Sequence, residues 1–284
     1  MFPNNPVKIG NCSCGQGEEL TLIAGPCVLQ RETSLAIAWR LKEIVDELAR
    51  DNYPLQLIFK GSFDKANRTS VDSWRGPGLD EGLRILSEIR EKTQLPVTTD
   101  VHETIQAERV GKVVDLVQIP AFLARQTDLL EAAAKTKKPV HVKKGQFMAP
   151  TDMARVVEKL LTFGCRDVLL GERGTFFGYG NLVNDFRSLV IMRRTNAPIV
   201  FDATHSVQEP SASNGRSGGK REFVAPLARA AAATGIDALF LETHFNPEES
   251  PSDGANMLPL DQVPNLLKTI INVRRAVEST QNEV

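Results

Sequence analysis

Short, β-branched apolar runs alternate with longer amphipathic stretches along almost the whole chain. Several runs are apolar at every position, which is typical of parallel strands buried on both faces. The stretches between them carry apolar residues at helical spacing, as Leu41, Ile44 and Leu48 do in the first. The predicted strands are residues 21–24, 55–60, 97–100, 116–119, 140–143, 168–170, 199–202 and 238–242. The predicted helices are residues 32–51, 80–92, 104–110, 126–135, 151–163, 184–193, 222–234 and 260–279.

Strand–helix units in this number and at this spacing predict an α/β fold, the (β/α)8 TIM barrel. A doubly wound open sheet is the alternative, but it needs a Gly-rich phosphate loop after the first strand. The turn there is Gly25-Pro26-Cys27, which is no dinucleotide fingerprint. We therefore expect residues 1–284 to form a single domain, with residues 1–20 as an N-terminal hairpin extension. In this extension, residues 7–9 are predicted to pair with residues 19–23 as a short β-hairpin that caps the barrel bottom.

Composition excludes several classes of protein. Apolar residues make up 42% of the chain and charged residues 24%, as in ordinary globular proteins with a sizeable core. The formal net charge of −1 supplies no bulk basic field for nucleic acid or an anionic membrane. No run approaches the roughly 18 apolar residues of a membrane span. The four cysteines, without a recognisable secretory leader, favour a reducing, cytoplasmic location over a disulfide framework.

Three predicted strands are followed by cations, and in a TIM barrel the carboxyl ends of the strands form the active site. A buried ammonium or guanidinium needs a partner of opposite charge, and phosphate suits both groups. The pattern therefore favours a site for phosphorylated anions over a set of solvated loop charges. The cations are Lys60, Lys65 and Arg68 at or after the end of the second strand, Lys143 and Lys144 at or after the end of the fifth, and Arg173 after the sixth.

A second set of side chains at or near strand ends has the chemistry of metal ligands. Each alone has an ordinary interpretation, as a buried thiol, a core histidine or a turn residue. Together, a thiolate, an imidazole and two carboxylates suit Zn²⁺, Fe²⁺ or Mn²⁺ better than Mg²⁺ or Ca²⁺. Asp100 and His102 end another strand and compete with this set. The members of the candidate metal-ligand set are Cys27, His205, Glu242 and Asp253.

Three other features have no place in this site. Cys12 and Cys14 lie in a Gly-rich N-terminal stretch and are interpreted as structurally incidental. Cys165, at a helix end, is interpreted as a packing residue. Residues 209–220 are rich in Ser and Gly and follow a strand that ends near a candidate ligand. They are predicted to form a mobile loop on the active face.

Ordered motifs over nearly the whole chain resemble one family. The first is Lys60-Gly-Ser-Phe-Asp-Lys-Ala-Asn-Arg-Thr-Ser70, followed by Trp74-Arg-Gly-Pro-Gly-Leu79. The others are Thr99-Asp-Val-His-Glu103, residues 118–128, Val142-Lys-Lys144, Arg173-Gly-x-x-Phe-Gly-Tyr179, Phe201-Asp-x-Thr-His205 and Leu258-Pro-Leu260. Together they resemble the signature of the 3-deoxy-D-manno-octulosonate 8-phosphate synthases. Matches this long and in this order are far more specific than any single motif.

The resemblance implies a cytoplasmic transferase that condenses phosphoenolpyruvate with D-arabinose 5-phosphate and water. It implies release of inorganic phosphate, a product for the inner core of lipopolysaccharide, and homotetrameric TIM barrels. By the same resemblance, Lys60, Lys143 and Arg173 would bind the carboxylate and phosphate of phosphoenolpyruvate. The other implied substrate contacts are Ser62, Lys65, Gln118 and Ala121, with Asn67 and Arg68 at arabinose 5-phosphate. The implied catalytic residues are Lys60, Lys65, Asp100, Lys143 and His205.

The family contains metal-dependent and metal-independent members. The metal-independent members have Gly-Gly-Met-Asn where this chain has Ala24-Gly-Pro-Cys27. The thiol therefore resembles the metal-dependent class, with His205, Glu242 and Asp253 as further ligands and Zn, Fe or Mn as the metal. Whether the metal would orient the aldehyde or activate water stays open.

Two alternatives to this activity remain. The sister enzyme that uses erythrose 4-phosphate shares the barrel and the metal set. It has Lys-Pro-Arg-Thr where this chain has Lys65-Ala-Asn-Arg68, which favours arabinose 5-phosphate here. A non-catalytic phosphosugar-binding barrel would lack one of the substrate-binding cations, and all of them are present.

Overall fold

Eight parallel strands close into a barrel in the computed structural model, which describes residues 2–68, 72–176, 180–213 and 216–281. The predicted (β/α)8 TIM barrel is confirmed. Pairing of the strand at 199–202 with both of its neighbours closes the ring. The barrel strands are β3 (Thr21–Gly25), β4 (Gln56–Lys60), β5 (Val97–Asp100), β6 (Leu116–Ile119), β7 (Val140–Lys143), β8 (Val168–Glu172), β11 (Ile199–Asp202) and β14 (Ala238–His244).

Helices connect the barrel strands and form the outer layer. α1 shows why they form: Ile37, Leu41, Ile44 and Leu48 recur at helical spacing and all are buried. The predicted helices are all present, and their ends differ from the prediction by a few residues at most. They are α1 (Arg31–Arg50), α2 (Leu79–Thr93), α3 (Thr104–Gly111), α4 (Thr127–Lys135), α5 (Met153–Thr162), α6 (Arg187–Arg193), α7 (Val224–Thr234) and α8 (Val263–Gln281).

The N-terminal hairpin is present, but its predicted second strand is wrong. Strand β1 (Val7–Ile9) pairs antiparallel with β2 (Cys12–Cys14), joined by the tight turn Gly10-Asn11. Gly10 has a φ of +58°, which suits such a turn. Residues 21–25, part of which was predicted to pair with 7–9, instead form the first barrel strand, because their side chains are buried throughout.

Cys12 and Cys14 are therefore not incidental to the fold. Both are buried, and they pack with β1 against the apolar side chains that fill the lower barrel, such as Ile58 and Leu169. Burial raises the pKa of Cys12 to about 11 and that of Cys14 to about 12. These thiols stay neutral and behave as small apolar side chains.

The inside of the barrel changes from apolar to charged towards the carboxyl ends of the strands. Side chains two positions apart on a strand share a face, so each strand contributes to successive interior layers. Leu116, Ile58, Val200 and Phe240 occupy the lower layer and are fully buried. The side chains two positions later are polar or charged: Gln118, Lys60, Asp202 and Glu242.

Shorter strands form within the loops at the carboxyl ends of the barrel strands. β9 (Thr175–Phe176) pairs with β10 (Leu182–Val183), β12 (Gln208–Ser213) pairs with β13 (Arg216–Gly219), and β15 (Leu258–Pro259) extends alongside β14. The predicted loop at 209–220 is thus largely an antiparallel ribbon, and residues 214–215 lie outside the described residues. Its mobility stays a prediction. Within the described chain, no helix is long and apolar enough to cross a membrane.

Removing a side chain from the lower barrel layer should destabilise the fold. Ile58→Ala leaves a cavity that the packed interior cannot fill, so the free energy of unfolding should fall by about 2–5 kcal/mol. Ile105→Ala is the matched control, because Ile105 is 77% exposed. Urea unfolding at equal protein concentration measures both. Equal losses in the two variants would contradict this description of the core.

Candidate active site

A cavity of about 390 Å³ opens at the carboxyl ends of the barrel strands. Five side chains from four strand ends or the loops after them bring charge to its wall: Lys60, Lys65, Asp100, Lys143 and Arg173. Lys60, Lys143 and Arg173 are each no more than 5% exposed. Cations buried this deeply need partners of opposite charge, and nearby carboxylates supply them.

Lys60 at the end of β4 is paired with Glu242 on β14. Its Nζ lies 2.6 Å from Glu242 Oε1 and also donates to the carbonyl of Cys27 at 2.9 Å. Burial alone would raise the pKa of the Glu242 carboxyl, but Lys60, His205 and Lys65 lower it well below its usual value. Glu242 is therefore ionised at neutral pH and stabilises the ammonium beside it.

Lys143 at the end of β7 is paired in the same way with Asp202 at the end of β11. Its Nζ lies 2.6 Å from Asp202 Oδ2 and 3.5 Å from the centre of the Phe240 ring. Burial lowers the pKa of Lys143, and the Asp202 carboxylate opposes that shift. Asp202 also holds His205: the ring Nδ1 lies 2.8 Å from its Oδ2. One carboxylate therefore orients both a cavity lysine and the imidazole.

Arg173, after β8, lies beside the loop that carries Asp253. Its Nη2 donates to Gln208 Oε1 at 3.1 Å, and Gln208 Nε2 donates to Asp253 Oδ1 at 3.0 Å. Arg173 Nη1 is buried and makes no hydrogen bond within the described residues. The guanidinium therefore keeps a free donor beside the cavity, as an anion-binding arginine requires.

Uncharged predicted contacts also line the cavity: Ser62, Asn67, Gln118 and Ala121. Ser62 Oγ and Gln118 Oε1 are buried and make no hydrogen bond within the described residues. Buried polar atoms usually have partners, so these atoms are placed to meet a bound molecule. Asn67 is exposed at the rim, whereas Ala121 is buried.

Asp100 and His102 pair with each other, with the ring Nε2 2.9 Å from Asp100 Oδ2. Burial would raise the pKa of Asp100, but His102 lowers it well below its usual value, with help from Lys65 and Lys60. Asp100 Oδ1 has no hydrogen bond within the described residues. The pair faces the cavity, so Asp100 is available to a substrate hydroxyl.

Arg68 is oriented by the chain itself. Its Nη2 donates to the carbonyl of Pro251 at 2.7 Å and to that of Trp74 at 3.1 Å. These bonds tie the loop after β4 to the loop that carries Asp253. Of the motif that Arg68 belongs to, residues 69–70 lie outside the described residues, as do residues 177–179 of the motif that begins at Arg173.

Three of the four predicted metal ligands converge. One donor atom each of Cys27, Glu242 and Asp253 lies within 4.8 Å of the others. Cys27 Sγ donates to Asp253 Oδ2 at 3.0 Å. The fourth, His205, does not complete this group at that spacing, although its Nε2 is 3.6 Å from Glu242 Oε1.

The donor set fits a divalent transition metal. Glu242 Oε2 is buried and makes no hydrogen bond within the described residues, so a carboxylate oxygen is available to a cation. Burial and the neighbouring Glu242 charge raise the pKa of the Cys27 thiol well above its usual value. A metal ion would replace the proton that the thiol now shares with Asp253, because thiolate is the binding form.

Other groups at the site were not recognised from the sequence. Asp202 ends a strand next to a candidate ligand, which was the signal that could have identified it. Gln208, and Glu172 as the buried partner of Lys144, gave no such signal, because their partners are distant along the chain. Cys165, interpreted as a packing residue, is indeed buried in the outer core.

Comparison with known proteins identifies the family of the chain. The model of the DAHP synthetase I family matches residues 4–279. A 2-dehydro-3-deoxyphosphooctonate aldolase of Geobacter metallireducens is 55% identical over 265 residues, which cover 93% of this chain and 96% of that protein. A protein of the same name from a Synechococcus species is 55% identical over 272 residues, covering 95% and 94%. Another, from Fusobacterium nucleatum, is 50% identical over 275 residues, covering 96% and 97%.

The family match covers almost the whole chain, and the relatives share about half of its residues across it. The chain therefore belongs to the DAHP synthetase I family, and its resemblance to the 3-deoxy-D-manno-octulosonate 8-phosphate synthases is confirmed.

Proposed function

We propose that this protein joins phosphoenolpyruvate, D-arabinose 5-phosphate and water to give 3-deoxy-D-manno-octulosonate 8-phosphate and inorganic phosphate. The observation that carries the proposal is the set of buried cations around one cavity, Lys60, Lys143 and Arg173, in a chain whose relatives are 2-dehydro-3-deoxyphosphooctonate aldolases. That name describes the same eight-carbon sugar acid. The product would supply lipopolysaccharide synthesis, in the cytoplasm.

Phosphoenolpyruvate would occupy the inner cavity. Lys60, Lys143 and Arg173 would bind its carboxylate and phosphate, with Gln118 and Ala121 beside them. Arabinose 5-phosphate would lie nearer the rim, where Asn67 is exposed. Two phosphorylated substrates repel each other strongly in a water-poor pocket, so clustered cations are needed to hold them together.

Carbon 3 of phosphoenolpyruvate would attack the sugar aldehyde, and water would add at carbon 2. The resulting hemiketal phosphate would lose inorganic phosphate by carbon–oxygen cleavage. Cations fixed around the cavity stabilise the negative charge on both substrates without rearranging during the reaction. Asp202 keeps the His205 ring in one orientation, with Nε2 towards Glu242 and the cavity.

Cys27, Glu242 and Asp253, together with His205, would hold a Zn, Fe or Mn ion. When bound, such an ion supplies Lewis acidity, either to orient the aldehyde or to lower the pKa of a water molecule. The residues themselves hold the site in shape: Ser252 Oγ and Gln208 Nε2 donate to Asp253, and Lys60 donates to the Cys27 carbonyl.

Four such chains would form the active assembly, a homotetramer. The family resemblance supports this part of the proposal. Sedimentation analysis of the purified protein measures the state directly.

The choice of sugar phosphate is tested by mixing phosphoenolpyruvate with each aldose in turn. Phosphate release should be rapid with arabinose 5-phosphate and near background with erythrose 4-phosphate. Preference for erythrose 4-phosphate would instead support the sister activity. Binding of arabinose 5-phosphate without phosphate release would support a non-catalytic barrel.

Arg173→Ala should weaken phosphoenolpyruvate binding. Loss of a charge-assisted hydrogen bond costs about 1.5–3 kcal/mol, so the KM for phosphoenolpyruvate should rise roughly tenfold to a hundredfold. Arg155→Ala is the control, because Arg155 is exposed on α5. Steady-state phosphate release measures both variants. An unchanged KM and kcat in Arg173→Ala would remove this residue from the site.

Cys27→Asn should make turnover independent of metal. An amide can hydrogen-bond to Asp253 where the thiol now does, without needing a cation. Phosphate release by the unaltered protein should be lost on treatment with a chelator and return when single metals are added, whereas the variant should keep its activity. Cys165→Ala, which alters a cysteine of the outer core, should stay sensitive. Full chelator sensitivity in Cys27→Asn would show that Cys27 does not set metal dependence.

A further inference from the structure

A second lysine–carboxylate pair lies directly behind the substrate-binding cations. Lys144 Nζ is 3.6 Å from Glu172 Oε2, and the side chains are 0% and 1% exposed. Lys144 follows Lys143 in sequence, and Glu172 precedes Arg173. Each member of the buried pair is therefore the sequence neighbour of a cavity cation.

The side chains of Lys144 and Glu172 point away from the cavity, whereas those of Lys143 and Arg173 point into it. Successive side chains on a strand alternate between faces, so Lys144 and Glu172 point away from the cavity that Lys143 and Arg173 line. The ladder between β7 and β8 continues up to this point, because the backbone N–H of Lys144 donates to the carbonyl of Gly171 at 2.7 Å. Lys144 and Glu172 thus lie where the hydrogen bonding between β7 and β8 ends.

Hydrogen bonds from this pair hold the residues that follow Arg173. Glu172 Oε1 accepts from the Gly174 N–H at 2.6 Å, and Gly174 adopts a left-handed φ of +95°. Lys144 Nζ donates to Thr175 Oγ1 at 3.2 Å. Arg173 therefore lies between Glu172, a member of the pair, and Gly174 and Thr175, which are hydrogen-bonded to the pair.

Lys144 also holds the segment after Lys143. Its Nζ lies 3.5 Å from the carbonyls of Gly145 and Met148. The Phe176 N–H donates to the carbonyl of Gln146 at 3.0 Å, which joins the two segments a second time. The loops after β7 and β8 are thereby fixed to each other through one buried ammonium.

A buried ion pair is a poor source of stability. Removing two charges from water costs about as much as their attraction returns, and apolar pairs of similar volume are often at least as stable. Burial lowers the pKa of Lys144 and raises that of Glu172, although each charge opposes the shift of the other. What the pair supplies that apolar residues lack is directed hydrogen bonds to the neighbouring backbone.

We infer that Lys144 and Glu172 are positioning residues, which fix the backbone that presents Lys143 and Arg173 to an anionic substrate. The inference rests on the proposed function, since it names phosphoenolpyruvate as that substrate. A positioning role can be distinguished from a role in stability. Replacing both residues with apolar ones can restore the stability of the fold but not the hydrogen bonds.

The test compares Lys144→Met with the double variant Lys144→Met/Glu172→Leu. In both, the KM for phosphoenolpyruvate should rise about tenfold, because small displacements of binding groups weaken binding strongly. The KM for arabinose 5-phosphate should stay within about twofold, because Asn67 and Arg68 lie on a different loop. Thermal unfolding should show the single variant destabilised and the double variant close to the unaltered protein.

An exposed ion pair provides the matched control. Glu108 on α3 and Lys112 just after it are 81% and 69% exposed, so Lys112→Met/Glu108→Leu should change neither KM. Titration calorimetry with phosphoenolpyruvate alone should repeat the loss of affinity in the Lys144 variants and not in this control.

Three results would overturn the inference. These are an unchanged KM for phosphoenolpyruvate in the double variant, an equal rise in both KM values, and failure of both Lys144 variants to fold. The last would mean that the pair supports the fold as a whole. If the unaltered protein releases no phosphate from the two substrates, the proposed function fails instead, which the same assay shows separately.

Discussion

Pairing of buried cations with buried carboxylates is the constraint on which the upper half of this barrel depends. Lys60 with Glu242 and Lys143 with Asp202 bring opposite charges within 2.6 Å in a site almost without exposure. None of these groups could stay charged there alone, since the cost of removing a single charge from water is too large. The pairs come from strands far apart in sequence, so the site exists only when the barrel is closed.

The carboxylates have more than one partner each, and this links the parts of the site. Glu242 contacts Lys60 and His205, and it also belongs to the group of candidate metal ligands. Asp202 holds both Lys143 and His205. The cavity cations and the candidate metal ligands are therefore not independent sets.

Much of this could be predicted from the chain. Apolar runs and helical spacing are local properties, and they located the barrel strands to within two residues. The hairpin was the exception: residues 19–23 were assigned to it because their apolar pattern suits any strand. The choice between Cys12–Cys14 and that segment depended on the turn at Gly10, which a pattern of apolar residues does not reveal.

The sequence by itself determined the barrel, the cations at the strand ends and the chemistry of the candidate ligands, because these follow from residue type and local periodicity. Only the tertiary structure decided which charges pair. Asp202, Glu172 and Gln208 contact Lys143, Lys144 and Arg173, which lie 28 or more residues away along the chain. Residue spacing in the sequence does not reveal contacts of this kind. These contacts are necessary because the groups are buried: in a water-poor interior, a charge or a hydrogen-bonding group without a partner is costly.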